Sequence, residues 1–214
     1  MVRGPQLDRL HLDGLEDGDP DELRRDADLD GVRYADLAVP LLDLQGARVA
    51  SSQWAGLSAD EADLRGTRLT DVELDGVNVP VVRAARSQWR DVTVSGRLGS
   101  VEAYEAQWRS VHVVGCKISY LNLRGAEVAD LAFTDCVVEE LDLVGAIARR
   151  VRLSGTRVGQ LNVQHADLQD VDLRGATFEA VDGVLGLRGA TVSPDQLALL
   201  APLLAAGLGL DVEP

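Results

Sequence analysis

The chain has 214 residues, a length that suits one domain or two small ones. Its 35 acidic and 21 basic residues give a formal net charge of −14, and no cationic patch of the kind that neutralises phosphates is visible. We therefore expect no direct binding to nucleic acid. No apolar run approaches the roughly 18 residues that cross a membrane, and the acidic first stretch lacks a signal-peptide core, so we expect a cytoplasmic protein without a membrane partner.

Residues 1–26 precede any regular pattern, and we interpret them as an N-terminal cap segment. The run Asp19-Pro20-Asp21-Glu22 has the features of a helix start, with an N-capping aspartate, a proline at the first helical position and acids behind it. Leu23-Arg24-Arg25 would complete a short helix. We expect this segment to cover the first turn of the array that follows, because an open end would leave apolar side chains and backbone groups in water.

Residues 27–192 carry an apolar residue at every fifth position, with a second small or apolar residue two positions before each one. An amphipathic helix would repeat every 3.6 residues or so and a half-buried strand every second residue, so a period of five is neither in its ordinary form. Through 27–94 and 106–178 none of these positions is charged, although 26% of the chain is. The period therefore predicts a single solenoid.

The five-residue register is interrupted twice. Within 95–107 the spacing is one residue short of three full repeats, and Gly96 and Gly99 stand at this irregularity. The shortening is too small to project a long loop. A second slip lies in 181–185, after which Leu187 and Val192 continue the pattern.

The largest inward side chains should form the core, together with two cysteines. The predicted inward residues are Trp54, Trp89, Trp108, Phe133, Phe178, Cys116 and Cys136. Each tryptophan has a small partner two positions earlier, as close packing requires, so we interpret the repeated Ser-Gln-Trp and Ala-Gln-Trp sequences as packing and not as an aromatic ligand box. Cys116 and Cys136 should stack in adjacent turns with parallel Cα–Cβ directions, which favours buried free thiols over a disulfide.

Residues 193–214 should form a C-terminal helical cap. Ser193-Pro194-Asp195-Gln196 is a capping box with proline at the first helical position. We expect Pro202 to kink or end the helix, with Leu203 starting a second one and Gly207 stopping it. The segment has more leucine than one solenoid end needs, so part of it should form a homodimer interface. The residues expected there are Leu197, Leu200, Leu203, Leu204 and Leu208.

No sequence motif indicates catalysis. The chain has no glycine-rich phosphate loop, no zinc-ligand spacing and no nucleophile elbow. Paired catalytic carboxylates would need a cleft, and a filled solenoid offers none. We therefore predict neither an enzyme nor a cofactor or metal site.

The five-residue pattern resembles that of the pentapeptide-repeat family, whose consensus is close to A(D/N)LxG. Close matches are Ala27-Asp28-Leu29-Asp30-Gly31, Ala62-Asp63-Leu64-Arg65-Gly66, Leu121-Asn122-Leu123-Arg124-Gly125 and Val171-Asp172-Leu173-Arg174-Gly175. The resemblance implies an all-β fold, a right-handed quadrilateral parallel β-helix with four pentapeptides to a coil. Glycine recurs two residues after the inward centre, where a corner would favour positive φ.

The resemblance also implies two alternative functions. Some family members are acidic DNA mimics that bind a type II topoisomerase such as DNA gyrase and protect it from quinolone-like poisons; this chain would match the loop-free type. The alternative is a general protein-interaction scaffold or a self-immunity factor with another partner. Continuous columns of acids would favour mimicry, whereas arginines that break those columns, such as Arg65, Arg124, Arg152 and Arg174, would favour the scaffold.

Overall fold

A computed structural model describes residues 2–212, so Met1, Glu213 and Pro214 of the predicted terminal segments lie outside the described residues. The strands are β1 (Glu16–Asp17), β2 (Asp28–Asp30), β3 (Val32–Ala35), β4 (Ala38–Asp43), β5 (Arg48–Ala55), β6 (Ser58–Asp63), β7 (Arg68–Arg83), β8 (Gln88–Glu102), β9 (Gln107–Asn122), β10 (Glu127–Thr134), β11 (Val137–Asp142), β12 (Ile147–Asn162), β13 (Asp167–Asp182) and β14 (Ala190–Thr191). Two 3-10 helices cover Pro20–Glu22 and Val184–Leu187, and one α-helix, α1, covers Pro194–Gly207.

Every strand pairing of the described residues is parallel, and most join positions twenty residues apart. Leu29 pairs with Val49, and Val49 with Leu69, so that the same face of each turn lies on that of the next. Twenty residues are four pentapeptides, and the chain makes about nine such turns. The predicted quadrilateral parallel β-helix is confirmed.

The core is the stack of inward side chains predicted from the period of five. Most of these positions are buried, including Leu29 at the first full turn and Leu173 near the last. Within 27–94 and 106–178, the inward positions that keep partial exposure are Ala27, Val32, Leu37, Val39, Leu74, Ala166 and Phe178. Most of them lie in the end turns, where only one neighbouring turn covers a side chain.

The slip at 95–107 is absorbed at one corner. Leu74 pairs with Val94 twenty residues on, but Val77 pairs with Gly96 only nineteen residues on, and the shift is recovered in the next turn between Ser95 and Arg97. Gly96 has φ +122°, and a Cβ there would overlap the backbone of Val77. The shortened turn therefore depends on a glycine at this position.

We predict that Gly96→Ala lowers the free energy of unfolding by about 3 kcal/mol or more, because a backbone overlap is added to an unfavourable φ. Gly145→Ala is the matched control: its φ is +65°, but nothing lies within 4 Å of the added Cβ. We expect a loss of only about 1 kcal/mol there. Urea unfolding of both variants measures the difference, and equal losses would contradict the packing explanation.

The N-terminal segment does more than cover the first turn. The predicted N-cap at Asp19 is present, but the helix behind it is a three-residue 3-10 turn that ends at Glu22. β1 pairs with β3, and the Tyr34 hydroxyl donates a hydrogen bond to the Asp19 carbonyl, which closes this end. The residues before β1 take a different path, along the length of the solenoid.

The C-terminal end is closed by α1. Its capping box is present as predicted, but the second helix expected at Leu203 is wrong, because a single helix passes through Pro202 and ends at Gly207. The buried Gln196 amide donates hydrogen bonds to the carbonyls of Leu173 and Ala176, so a side chain satisfies backbone acceptors of the last turns. No helix among residues 2–212 is long and apolar enough to cross a membrane.

Candidate binding surfaces

An extended strap, residues 3–11, lies against the side of the solenoid. Arg3 bonds Asp170 through both its backbone amide and its guanidinium. Further along, the amide of Gln6 donates to Asp130 at 2.9 Å, and the amide of Asp8 donates to the Ser110 hydroxyl at 3.0 Å. The strap ends at His11, whose ring lies 3.7 Å from Asp71.

The strap follows one corner of the β-helix across successive turns. That corner column consists of Ser51, Asp71, Asp91, Ser110, Asp130, Arg150 and Asp170. Five turn spacings separate Asp71 from Asp170, about 24 Å at the usual spacing of strands. Eight extended residues span a similar distance, about 26 Å, so an extended chain can meet the column turn by turn.

All seven residues of the corner column have φ between 46° and 59°, a left-handed conformation that glycine adopts more easily. Many other corners of this chain do use glycine, as at Gly125 and Gly145. A non-glycine residue in this conformation carries strain of roughly 1 kcal/mol. Side chains are nevertheless present at every level of the column, and four of them contact the strap. The strap contacts offset part of that strain.

The carboxylates of Asp170 and Asp130 are the two charged groups that bind the strap. The backbone amide and guanidinium of Arg3 lower the pKa of Asp170. Burial by itself would raise the pKa of Asp130, but the Arg150 guanidinium and the Gln6 amide outweigh it, and the pKa is lowered. A lowered folded-state pKa means that the carboxylate form stabilises the contact, above the unfolded value of about 3.9.

We predict that the strap stays bound from neutral pH down to about pH 4 and is released as the pH falls through the lowered values of Asp130 and Asp170. Asp130→Ala should release it at neutral pH and reduce stability by about 1–3 kcal/mol, because a buried acceptor is lost. Hydrogen–deuterium exchange of the peptide that covers residues 3–11 reports release directly.

The matched control for strap release is Asp91→Ala, at the same corner with φ 54°. Its carboxylate makes no hydrogen bond or ion pair with other residues in 2–212. Exchange of the strap should be unchanged in this variant. Equal exchange in the Asp91 and Asp130 variants would mean that the column side chains do not hold the strap.

Arginine side chains neutralise many acids on the solenoid faces. Ion pairs join Arg65 to Asp63, Arg124 to Asp142, Arg150 to Asp130, and both Arg152 and Arg174 to Asp172. The acids of these pairs are buried beside their partners, and Arg65 and Arg174 lower the pKa of Asp63 and Asp172. All four arginines singled out in the sequence therefore form ion pairs with aspartates.

The aromatic and cysteine residues singled out in the sequence lie inside the solenoid. Trp89 and Trp108 stack at a centroid distance of 4.5 Å and an angle of 13°, and Trp54 meets the edge of Tyr34. Cys116 and Cys136 are free, buried thiols in adjacent turns. The hydrogen bond with Cys136, together with burial, raises the pKa of the Cys116 thiol. Among the described residues no three acidic, histidine or cysteine side chains form a metal-binding group.

The leucines of the C-terminal segment divide between the core and the surface. Leu197, Leu199, Leu203 and Leu208 are exposed by 42–76%. Leu200 is only 7% exposed and Leu204 is partly buried, so Leu200, expected at a dimer interface, instead packs against its own chain. Helical periodicity alone does not show which side of a capping helix faces the last turn.

The five-residue period and the stacked four-sided turns together define a class, the quadrilateral β-helices. These turns agree with the fold that the sequence resemblance to pentapeptide-repeat proteins implies. No family model matches it, and no curated protein matches it.

Solved structures of at least two proteins align with the chain. One is QnrB1, described as a plasmid-mediated fluoroquinolone resistance protein, which is 13% identical with a TM-score of 0.34 over 89% of this chain and 97% of that one. Another is HetL, a pentapeptide-repeat protein involved in heterocyst differentiation regulation from the cyanobacterium Nostoc. It is 16% identical with a TM-score of 0.32 over 78% of this chain and 90% of that one.

Proposed function

We propose that this chain is a non-enzymatic, protein-binding solenoid that acts in the cytoplasm. Support comes from its construction: apolar side chains fill the interior, and the polar and charged residues form regular columns on flat outer faces. Such a surface offers a partner many similar contacts at the spacing of neighbouring strands, about 4.8 Å.

Of the two alternative modes of binding, the ion pairs favour a scaffold that presents a mixed-charge face. A DNA mimic needs acids whose charge is not compensated, so that they can complement a cationic DNA-binding groove. Here Asp63, Asp130, Asp142 and Asp172 each lie beside an arginine. Part of the acid excess lies outside the repeats, since residues 1–26 contain eight acids and four arginines. This local charge pairing is the observation that carries the proposal.

A DNA gyrase supercoiling assay separates the two alternatives, because gyrase is the partner that the family resemblance implies. We expect purified protein at tens of micromolar to leave supercoiling unchanged, with or without a fluoroquinolone. Inhibition, or relief of drug-trapped DNA cleavage, would overturn the scaffold proposal and support the acidic mimic with a role in antibiotic protection.

The scaffold itself is tested by face-specific substitution in a pull-down from bacterial cytoplasm. Three variants each change one face: Arg68→Glu, Glu73→Arg and Glu139→Arg. We expect the wild type to capture a partner protein that one variant no longer captures and the other two still capture. Retention that responds equally to all three would indicate non-specific charge attraction.

We further propose that α1 joins two copies of the chain. Leu199 and Leu203 lie one helical turn apart, so their exposed side chains share a side of the helix. A pair of exposed leucines that no other part of the described chain covers is suited to a symmetric, self-complementary contact.

We expect Leu199→Glu with Leu203→Glu to convert a dimer into a monomer in sedimentation velocity, because burying two carboxylates opposes association. Leu41→Glu is the matched control: Leu41 is 51% exposed but lies on the side of the solenoid, so the dimer should persist. A wild-type protein that sediments as a monomer at micromolar concentration would refute the interface.

A further inference from the structure

One face of the acidic solenoid carries a groove lined by arginines. The arginine groove has a volume of about 520 Å³ and crosses five turns, those centred on Leu69, Trp89, Trp108, Val128 and Ala148. The polar side chains central to it are Arg68, Gln88, Arg90, Gln107 and Arg109.

The middle of the groove is built from a duplicated tripeptide. Gln88-Trp89-Arg90 pairs in register with Gln107-Trp108-Arg109, residue against the identical residue, although this turn is one residue shorter than the rest. Successive side chains of a strand point to opposite faces, so each inward tryptophan places a glutamine and an arginine outward. The two stacked indoles beneath hold the two turns together. Two amides and two guanidinium groups are thereby presented as adjacent pairs.

These arginines form no ion pair within the described part of the chain, although Arg109 lies near enough to Asp130 to help lower the pKa of that carboxyl. Towards the two ends of the same face, Arg48 pairs with Asp28 and Arg149 with Asp167. None of Arg68, Arg90 and Arg109 forms an ion pair with another residue in 2–212. Like charges directly opposite on neighbouring strands destabilise a sheet, so Arg90 beside Arg109 is unfavourable without an anion between them.

Acids that lie close to the groove form no ion pair with these arginines. Glu127 lines it one turn beyond Gln107, and the Asp8 amide bonds Ser110, which follows Arg109. Neither carboxylate forms an ion pair within the described part of the chain. A ligand would therefore have to meet the guanidinium groups on the side away from both acids.

We propose that the arginine groove binds a small molecule that carries a phosphoryl group. Guanidinium groups form paired hydrogen bonds with phosphate oxygens, and the two glutamine amides add neutral donors beside them. The volume is within the range of small-molecule sites, roughly 300–1,000 Å³. Beyond the cluster the arginines of this face, Arg48 and Arg149, already pair with Asp28 and Asp167, so they offer little to a polyanion longer than the cluster. The charge pattern therefore favours a compact ligand over single-stranded nucleic acid.

The full-length protein is titrated calorimetrically with ADP, pyrophosphate and adenosine. We expect ADP and pyrophosphate to saturate one site with a Kd of about 1 mM or tighter, and adenosine to give no saturable heat. Arg90→Gln with Arg109→Gln should weaken binding at least about tenfold, because both charged donors are lost.

The matched control is Arg97→Gln with Lys117→Gln. These two cations are also paired on adjacent turns and form no ion pair in 2–212, but they lie on another face, outside the groove. Affinity for ADP and pyrophosphate should be unchanged. All substituted side chains are exposed, so thermal unfolding should match the wild type and exclude misfolding as the cause.

Three results would overturn the site. The first is no saturable binding of ADP or pyrophosphate by the wild type. The second is an equal loss of affinity in both double variants, which would indicate general charge attraction. The third is tighter binding of an eight-nucleotide single-stranded RNA than of ADP, which would identify a surface for a longer polyanion. These results leave the protein-binding proposal to its own assay, in which the variants at Glu73 and Glu139 lie outside the groove.

Discussion

The structure depends on one packing constraint, that each turn must place its inward side chains directly on those of the neighbouring turns. The pairing of Leu29 with Val49, and of Val49 with Leu69, repeats on every face, so each inward residue of the middle turns is covered above and below by a residue of the same column. The cross-section is narrow, and a large residue requires a small neighbour. Trp89 with Ser87 and Trp108 with Ala106 satisfy this requirement, although the buried indole nitrogens of both tryptophans lack a hydrogen-bond partner. Apolar packing outweighs those losses because the charge-free pattern continues from turn to turn.

The same stacking organises the outer surface. Outward residues form columns at the spacing of adjacent strands, so like charges in consecutive turns repel unless an opposite charge lies beside them. Most faces meet this condition with arginine–aspartate pairs such as Arg150 with Asp130. Exposed pairs of this kind contribute only about 0–1 kcal/mol each, so their main effect is to set where charge remains uncompensated. The arginine groove is one such place, and the acidic N-terminal segment is another.

The ends and one side of the solenoid need elements outside the repeat. At the N-terminal end, β1 and the bond from Tyr34 to Asp19 cover the first turns, and at the C-terminal end the Gln196 amide satisfies two carbonyls. The strap connects turns near both ends through Asp170 and Asp71. A solenoid has mostly neighbour-to-neighbour contacts. A segment that contacts several turns therefore couples regions that the repeats leave independent.

The sequence by itself determined the parallel β-helix, its register and the position of the shortened turn, because the period of five is a local rule that each turn repeats. The capping residues Asp19 and Ser193 could also be predicted from the sequence, because a helix cap depends on a few adjacent residues. Only the tertiary structure decided the path of the strap, whose partners lie 102–167 residues away at Ser110, Asp130 and Asp170 and have no periodic signal. It also decided that α1 continues through Pro202 and turns Leu200 inward, and which arginines find an acid. Those outcomes depend on how surfaces meet in space, which the order of residues along the chain does not specify.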